Sequence, residues 1–119
     1  SVRSLTVKDA TVQTNGAQIS SSVSDVTITD SIVSAELEVE GDITVENSVL
    51  EISETAYVGD GFTITNSTVT GGGLSASDAA STLTVTGSQV NVTVISAYGF
   101  IIEGRIIIAH FIVGLWAVF

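Results

Sequence analysis

Apolar and polar residues alternate along this chain in short runs, and one ten-residue pattern of them recurs six times. Its copies are LTVKDATVQT from Leu5, VTITDSIVSA from Val26, ITVENSVLEI from Ile43, FTITNSTVTG from Phe62, LTVTGSQVNV from Leu83 and FIIEGRIIIA from Phe100. Successive copies begin 21, 17, 19, 21 and 17 residues apart. The first position is always large and apolar, the third is Val or Ile, and the eighth is Val, Leu or Ile. Apolar residues at the first and third positions, with Thr between them in five copies, have the period-two alternation of a half-buried strand. The fifth position is Asp9, Asp30, Asn47, Asn66, Gly87 and Gly104 in turn. Those residue types tolerate a left-handed backbone, so this position predicts a sharp bend. The apolar eighth position opens a second short strand beyond it.

A third apolar pair falls between copies, at Leu37 and Val39, Ala56 and Val58, and Leu74 and Ala76. Three short strands per repeat and no helical period describe one turn of a β-solenoid. A β-sandwich also has short strands, but it would not repeat one turn chemistry in register. The fold class expected is therefore all-β, a single-stranded parallel β-helix of about six coils. At ~4.8 Å per coil the stack extends roughly 29 Å. The run FTITNSTV, with Asn at the bend, resembles right-handed parallel β-helix proteins of the pectate-lyase-like kind. The resemblance runs from Leu5 to about Val113 and implies a right-handed coil. It also implies an inner ladder of bend Asn residues, here Asn47 and Asn66, which Gly87 and Gly104 would interrupt. It implies no particular function, because such folds host many.

Composition narrows the chemistry. The 119 residues include three Lys and Arg, thirteen Asp and Glu, one His and no Cys, Pro or Met, for a net charge of -10. Without cysteine there is neither a disulfide framework nor a thiolate metal site. Arg3, Lys8 and Arg105 are too few to neutralise phosphates, which excludes nucleic acid as a partner. An apolar fraction of 45% argues against disorder, and the Ser/Thr-rich remainder points to an extracellular or cell-surface protein. The chain lacks an initiator Met, which reads as a processed N-terminus or a fragment.

The ends stand out. Only Ser1 to Ser4 precede the first copy, so the coil reads as uncapped there. At the other end Ile101, Ile106 and Ile108 take the places held one copy earlier by Thr84, Gln89 and Asn91. This divides the chain into coils at 1–96 and an apolar segment at 97–119. Three readings of that segment stay open: a transmembrane helix, which would make the membrane a partner, a last coil, and a packed or strand-exchanging tail. Glu103, Arg105 and three glycines interrupt the helix, whereas Phe100, Ile102 and Ile107 keep the repeat register. An outer face bearing Ile101, Ile106, Ile108, Phe111, Leu115, Trp116 and Phe119 demands a partner. An uncapped start meeting an apolar finish joins head to tail, and such contacts build filaments when they do not close. The function expected is a self-assembling filament or surface-layer subunit. The alternatives are a carbohydrate-binding adhesin or spike module, and an ectodomain anchored by its C-terminal segment.

Catalytic candidates are poor, and no enzyme activity or cofactor is expected. Glu36, Glu38, Glu40 and Asp42 form an acidic stretch whose first three carboxylates share an outer face. That is either a weak calcium candidate or a solvated face, and solvation is the commoner role. Glu46, Glu51, Glu54 and Asp60 extend the acidity, but any acidic protein offers such carboxylate pairs. A lyase of the resembled kind also wants an Arg or Lys base, and none lies near in sequence. His110, the only histidine, sits among apolar neighbours and reads as a packed or interface residue. Gly71 to Gly73 read as a flexible turn between coils. Asn91-Val92-Thr93 and Asn66-Ser67-Thr68 fit the N-glycosylation acceptor pattern, with Asn91 outward and Asn66 at a bend where it can face inward.

Overall fold

A computed structural model describes residues 2–19, 23–76, 81–103, 106–108, 111–114 and 116–118. Among them every regular element is a strand: β1 (Val2–Lys8), β2 (Thr11–Ile19), β3 (Val23–Thr29), β4 (Ile32–Val39), β5 (Asp42–Glu46), β6 (Val49–Val58) and β7 (Gly61–Thr65). The chain continues through β8 (Thr68–Ala76), β9 (Thr82–Thr86), β10 (Gln89–Ser96), β11 (Gly99–Glu103), β12 (Ile106–Ile108), β13 (Phe111–Val113) and β14 (Trp116–Val118). Alternate strands stack into two sheets. One runs β1-β3-β5-β7-β9-β11-β14, the other β2-β4-β6-β8-β10-β12, and β13 also pairs with β10. All pairings are parallel. The fold is thus a parallel β-solenoid.

It has about four turns rather than six. Six copies of the pattern bound only five intervals, and the four from Val26 to Phe100 are those whose inner rows are described as buried at both ends. The register of that row is Val26, Ile43, Phe62, Leu83, Phe100, each residue directly over the next. A second row of the same sheet is Ile28, Val45, Ile64, Val85 and Ile102. All ten are buried, which is the alternation expected of the first and third positions.

The second sheet is folded along a corner, giving the coil three faces. β4 and β6 each shift register midway, between Ala35 and Glu38 and between Ile52 and Thr55. Before the corner the inward residues are Val33 and Ala35, Leu50 and Ile52; after it they are Leu37 and Val39, Ala56 and Val58. The third apolar pair found in the sequence is therefore the inner lining of the third face.

The glycine run is not a turn between coils, as the sequence suggested, but part of strand β8 where it crosses this corner. The reason is close approach. A Cβ on Gly71 would lie 2.7 Å from both Cβ and O of Ile52, and one on Gly72 would collide with the backbone oxygen of Glu54. Only glycine lets β8 follow β6 at strand spacing there.

Residues after Ala97 form strands in the described portion, with β11 paired to β9, β12 and β13 to β10, and β14 to β11. No helix of the described residues is long and apolar enough to cross a membrane.

Candidate functional site

The most structured polar feature is the bend between the two sheets. Its fifth-position residues have φ of 51° at Asp9, 50° at Asp30, 50° at Asn47, 47° at Asn66 and 58° at Gly87, all left-handed as the residue types predict. Each of these residues donates its backbone N–H to the coil above, for example Asn47 to Thr65 O at 3.0 Å and Asn66 to Thr86 O at 2.9 Å.

The inner ladder is not made of Asn. Asn47 and Asn66 are exposed, and the buried residue is the next one, Ser31, Ser48, Ser67 and Ser88. A left-handed residue turns the chain so that two consecutive side chains, such as Glu46 and Asn47, both face out before the alternation resumes. The serines form a relay through the stack. Ser31 N–H donates to Ser48 Oγ at 3.0 Å, Ser48 N–H to Ser67 Oγ at 3.1 Å, and Ser67 N–H to Ser88 Oγ at 3.0 Å. Each hydroxyl in turn donates to a carbonyl of its own coil, Ser48 to Glu46 O at 2.7 Å and Ser67 to Thr65 O at 2.7 Å. The bend's buried polar groups are thus satisfied coil by coil. Ser81 repeats the device at another corner, accepting from Tyr98 N–H at 3.2 Å. The signal was present in the sequence, since Ser fills the sixth position in four of six copies.

Outside this relay lies an open groove of about 480 Å³, lined by Asn47, Ser48, Val49, Asn66, Ser67, Thr68, Gly87 and Gln89. Among the described residues none of this lining is charged. Asn47 and Asn66 occupy adjacent coils, because Glu46 pairs with Thr65 and Val49 with Thr68 on either side of them.

The sequence-derived candidates fall elsewhere. Glu36, Glu38, Glu40 and Asp42 are exposed on the outer surface, with Leu37, Val39 and Gly41 turned inward between them. Among the described residues no group of three or more Asp, Glu or His is arranged to hold a metal ion. Glu51 is exposed before the corner of β6, Glu54 forms that corner with a φ of 66°, and Asp60 precedes β7. Both sequon residues, Asn66 and Asn91, are exposed, so Asn66 does not face inward as its bend position allowed. Ile101 is half-buried on β11. Ile106 and Ile108 lie on β12, Phe111 on β13 and Trp116 on β14, but their side chains lie outside the described part. Arg105, His110, Leu115 and Phe119 lie outside the described residues altogether.

An acid stack went unnoticed in the sequence. Asp42 N–H donates to Asp25 Oδ1 at 3.0 Å, and Asp60 N–H donates to Gly41 O at 3.0 Å, so Asp25, Asp42 and Asp60 mark one corner on three coils. Partial burial first, then the charges of Asp60 and Asp25, push the Asp42 carboxyl above its ordinary value. The folded state then holds that proton more tightly than the unfolded chain. Its contribution favours folding while Asp42 is protonated and is lost as pH rises through the raised pKa. Asp42→Asn should therefore raise the thermal midpoint at neutral pH by roughly 2 °C, since solvent screens an exposed corner. The gap between variant and wild type should close as the pH falls into the carboxylate range. Calorimetry across that range checks this, and a lowered midpoint at neutral pH contradicts it.

No family model, curated protein or solved structure matches this chain.

Proposed function

We propose that this chain is a structural protein without catalytic activity, a subunit of an extracellular filament or surface layer whose β-helices associate head to tail. The observation that supports the reading is the apolar composition of 97–119 beside a parallel register that repeats from rung to rung. Among the described residues β1 pairs only with β3 and β14 only with β11, whereas the strands between them in that sheet have a parallel neighbour on each side. A second copy laying its β1 along β14 would reuse the geometry of every internal rung. Such strand addition takes its affinity from main-chain hydrogen bonds. The joined surfaces differ, so the contact is heterologous and open-ended. The apolar composition of 97–119 supplies the burial that drives it.

The coil is further taken to be the right-handed, pectate-lyase-like kind. Parallel strand crossovers are right-handed in nearly all cases, and the left-handed bend residues Asp30, Asn47 and Asn66 suit that turn. The extracellular placement rests on the Ser/Thr-rich, sparsely charged composition.

Sedimentation velocity over a concentration series tests head-to-tail association. The expected result is a weight-average coefficient that climbs without a plateau. A plateau at the dimer would indicate a closed, two-fold contact instead, and a constant monomer would remove self-association from the account.

A further inference from the structure

We propose that the groove along the bend is a binding site for a neutral, polyhydroxylated glycan chain, with the side-chain amides of Asn47, Asn66 and Gln89 as its recognition groups. The inference stands independently of head-to-tail association, because the groove lies on the side of the stack and not at its ends.

Three observations carry it. The first is the lining: exposed amides and buried serines with no charged side chain. Each amide offers an acceptor and two donors from one rigid plane, the complement of neighbouring sugar hydroxyls. The second is the spacing. Asn47 and Asn66 stack one strand interval apart, ~4.8 Å, held there by their backbone bonds to Thr65 and Thr86. At the next coil the same position is Gly87, which has no side chain, so the row of amides opens into a gap flanked by Gln89. The volume of about 480 Å³ falls within the range of ~300–1,000 Å³ usual for ligand pockets. An apolar ligand would find little apolar wall there.

The third observation is charge. The chain carries -10 overall, and no Lys or Arg is among the described residues that line the groove. An anionic glycan such as a polyuronate would be repelled by that net charge. A neutral chain escapes this penalty. The groove is open and shallow, so affinity rests on a few solvent-competed hydrogen bonds, which places binding in the millimolar to micromolar range.

The test uses the full chain labelled with ¹⁵N and titrated with neutral gluco-, manno- and xylo-configured hexasaccharides, alongside oligogalacturonate as the anionic counterpart. At least one neutral sugar should shift the side-chain amide signals of Asn47, Asn66 and Gln89 at millimolar concentration, and oligogalacturonate should not. Asn66→Gly is the informative variant. It removes the amide but keeps the left-handed bend that Gly87 already adopts at the equivalent place, and it should weaken binding about tenfold. Gln89→Ala should weaken it similarly, while Asn91→Ala, on the outer face of β10, leaves it unchanged. Three outcomes would overturn the proposal: no neutral sugar moves these signals, the shifts cluster instead at the exposed Tyr57 or Tyr98, or oligogalacturonate binds as well as the neutral chains.

Discussion

Leu83→Ala should destabilise the solenoid by about 2–5 kcal/mol, the range for emptying a fully buried leucine site. Leu83 is 0% exposed. It is wedged in register between Phe62 on the coil below and Phe100 on the coil above. Both neighbours are large rings tied to strands that hydrogen-bond on both sides, so neither has freedom to collapse into the space left behind. In a stack where each coil contacts only its neighbours, the loss is local in origin but severs the connection between the two halves. Urea denaturation should therefore show a lowered midpoint. Hydrogen exchange should show faster opening in β7, β9 and β11 than in β3 and β5. The outward neighbour Thr84, changed to Ala, should change the unfolding free energy by no more than about 0.5 kcal/mol. Equal effects at the two positions would mean that the inner and outer faces are assigned wrongly.

Ser67→Ala carries the second large effect, about 1–3 kcal/mol. The hydroxyl serves two coils at once: it accepts the Ser48 N–H at 3.1 Å and donates to Thr65 O at 2.7 Å. Alanine fits the space, so the cost is not steric. It comes from stranding a buried backbone N–H that water cannot reach. Ser34, whose hydroxyl only approaches Glu51 Oε2 at 3.4 Å on the outer surface, is the matched control and should tolerate Ala at near-zero cost. If Ser67→Ala behaved like Ser34→Ala, the relay would be incidental to the stack's stability.

Much of this architecture was legible from residue types alone, because burial in a strand obeys a period of two. Val26, Ile28, Ile43 and Val45 could be placed inward, and the bend could be placed at Asp30 and Asn47, before any coordinates. The alternation rule failed where the backbone leaves the β region. At Asn47 and Asn66 the left-handed turn sends two successive side chains outward, so the ladder fell on Ser48 and Ser67 instead. The run at Gly71 was misread because glycine marks close backbone approach as often as it marks a turn, and only the position of Ile52 and Glu54 distinguishes the two. The stack of Asp25, Asp42 and Asp60 was hidden for a different reason. These residues lie 17 and 18 positions apart, just ahead of the ten-residue pattern: Asp25 and Asp42 each precede its first position, and Asp60 stands one residue further back, because Gly61 takes the place opposite Asp42. The stacking of Asn47, Asn66 and Gly87 was legible, but the groove was not, since it depends on these residues facing outward rather than inward.

The central claim is that these coils continue from one molecule into the next. Electron microscopy of the purified chain at high concentration in detergent-free buffer tests it most directly. The account predicts unbranched filaments one solenoid wide, lengthening with concentration. A field of separate particles no larger than the 33 × 26 × 20 Å molecule would contradict it.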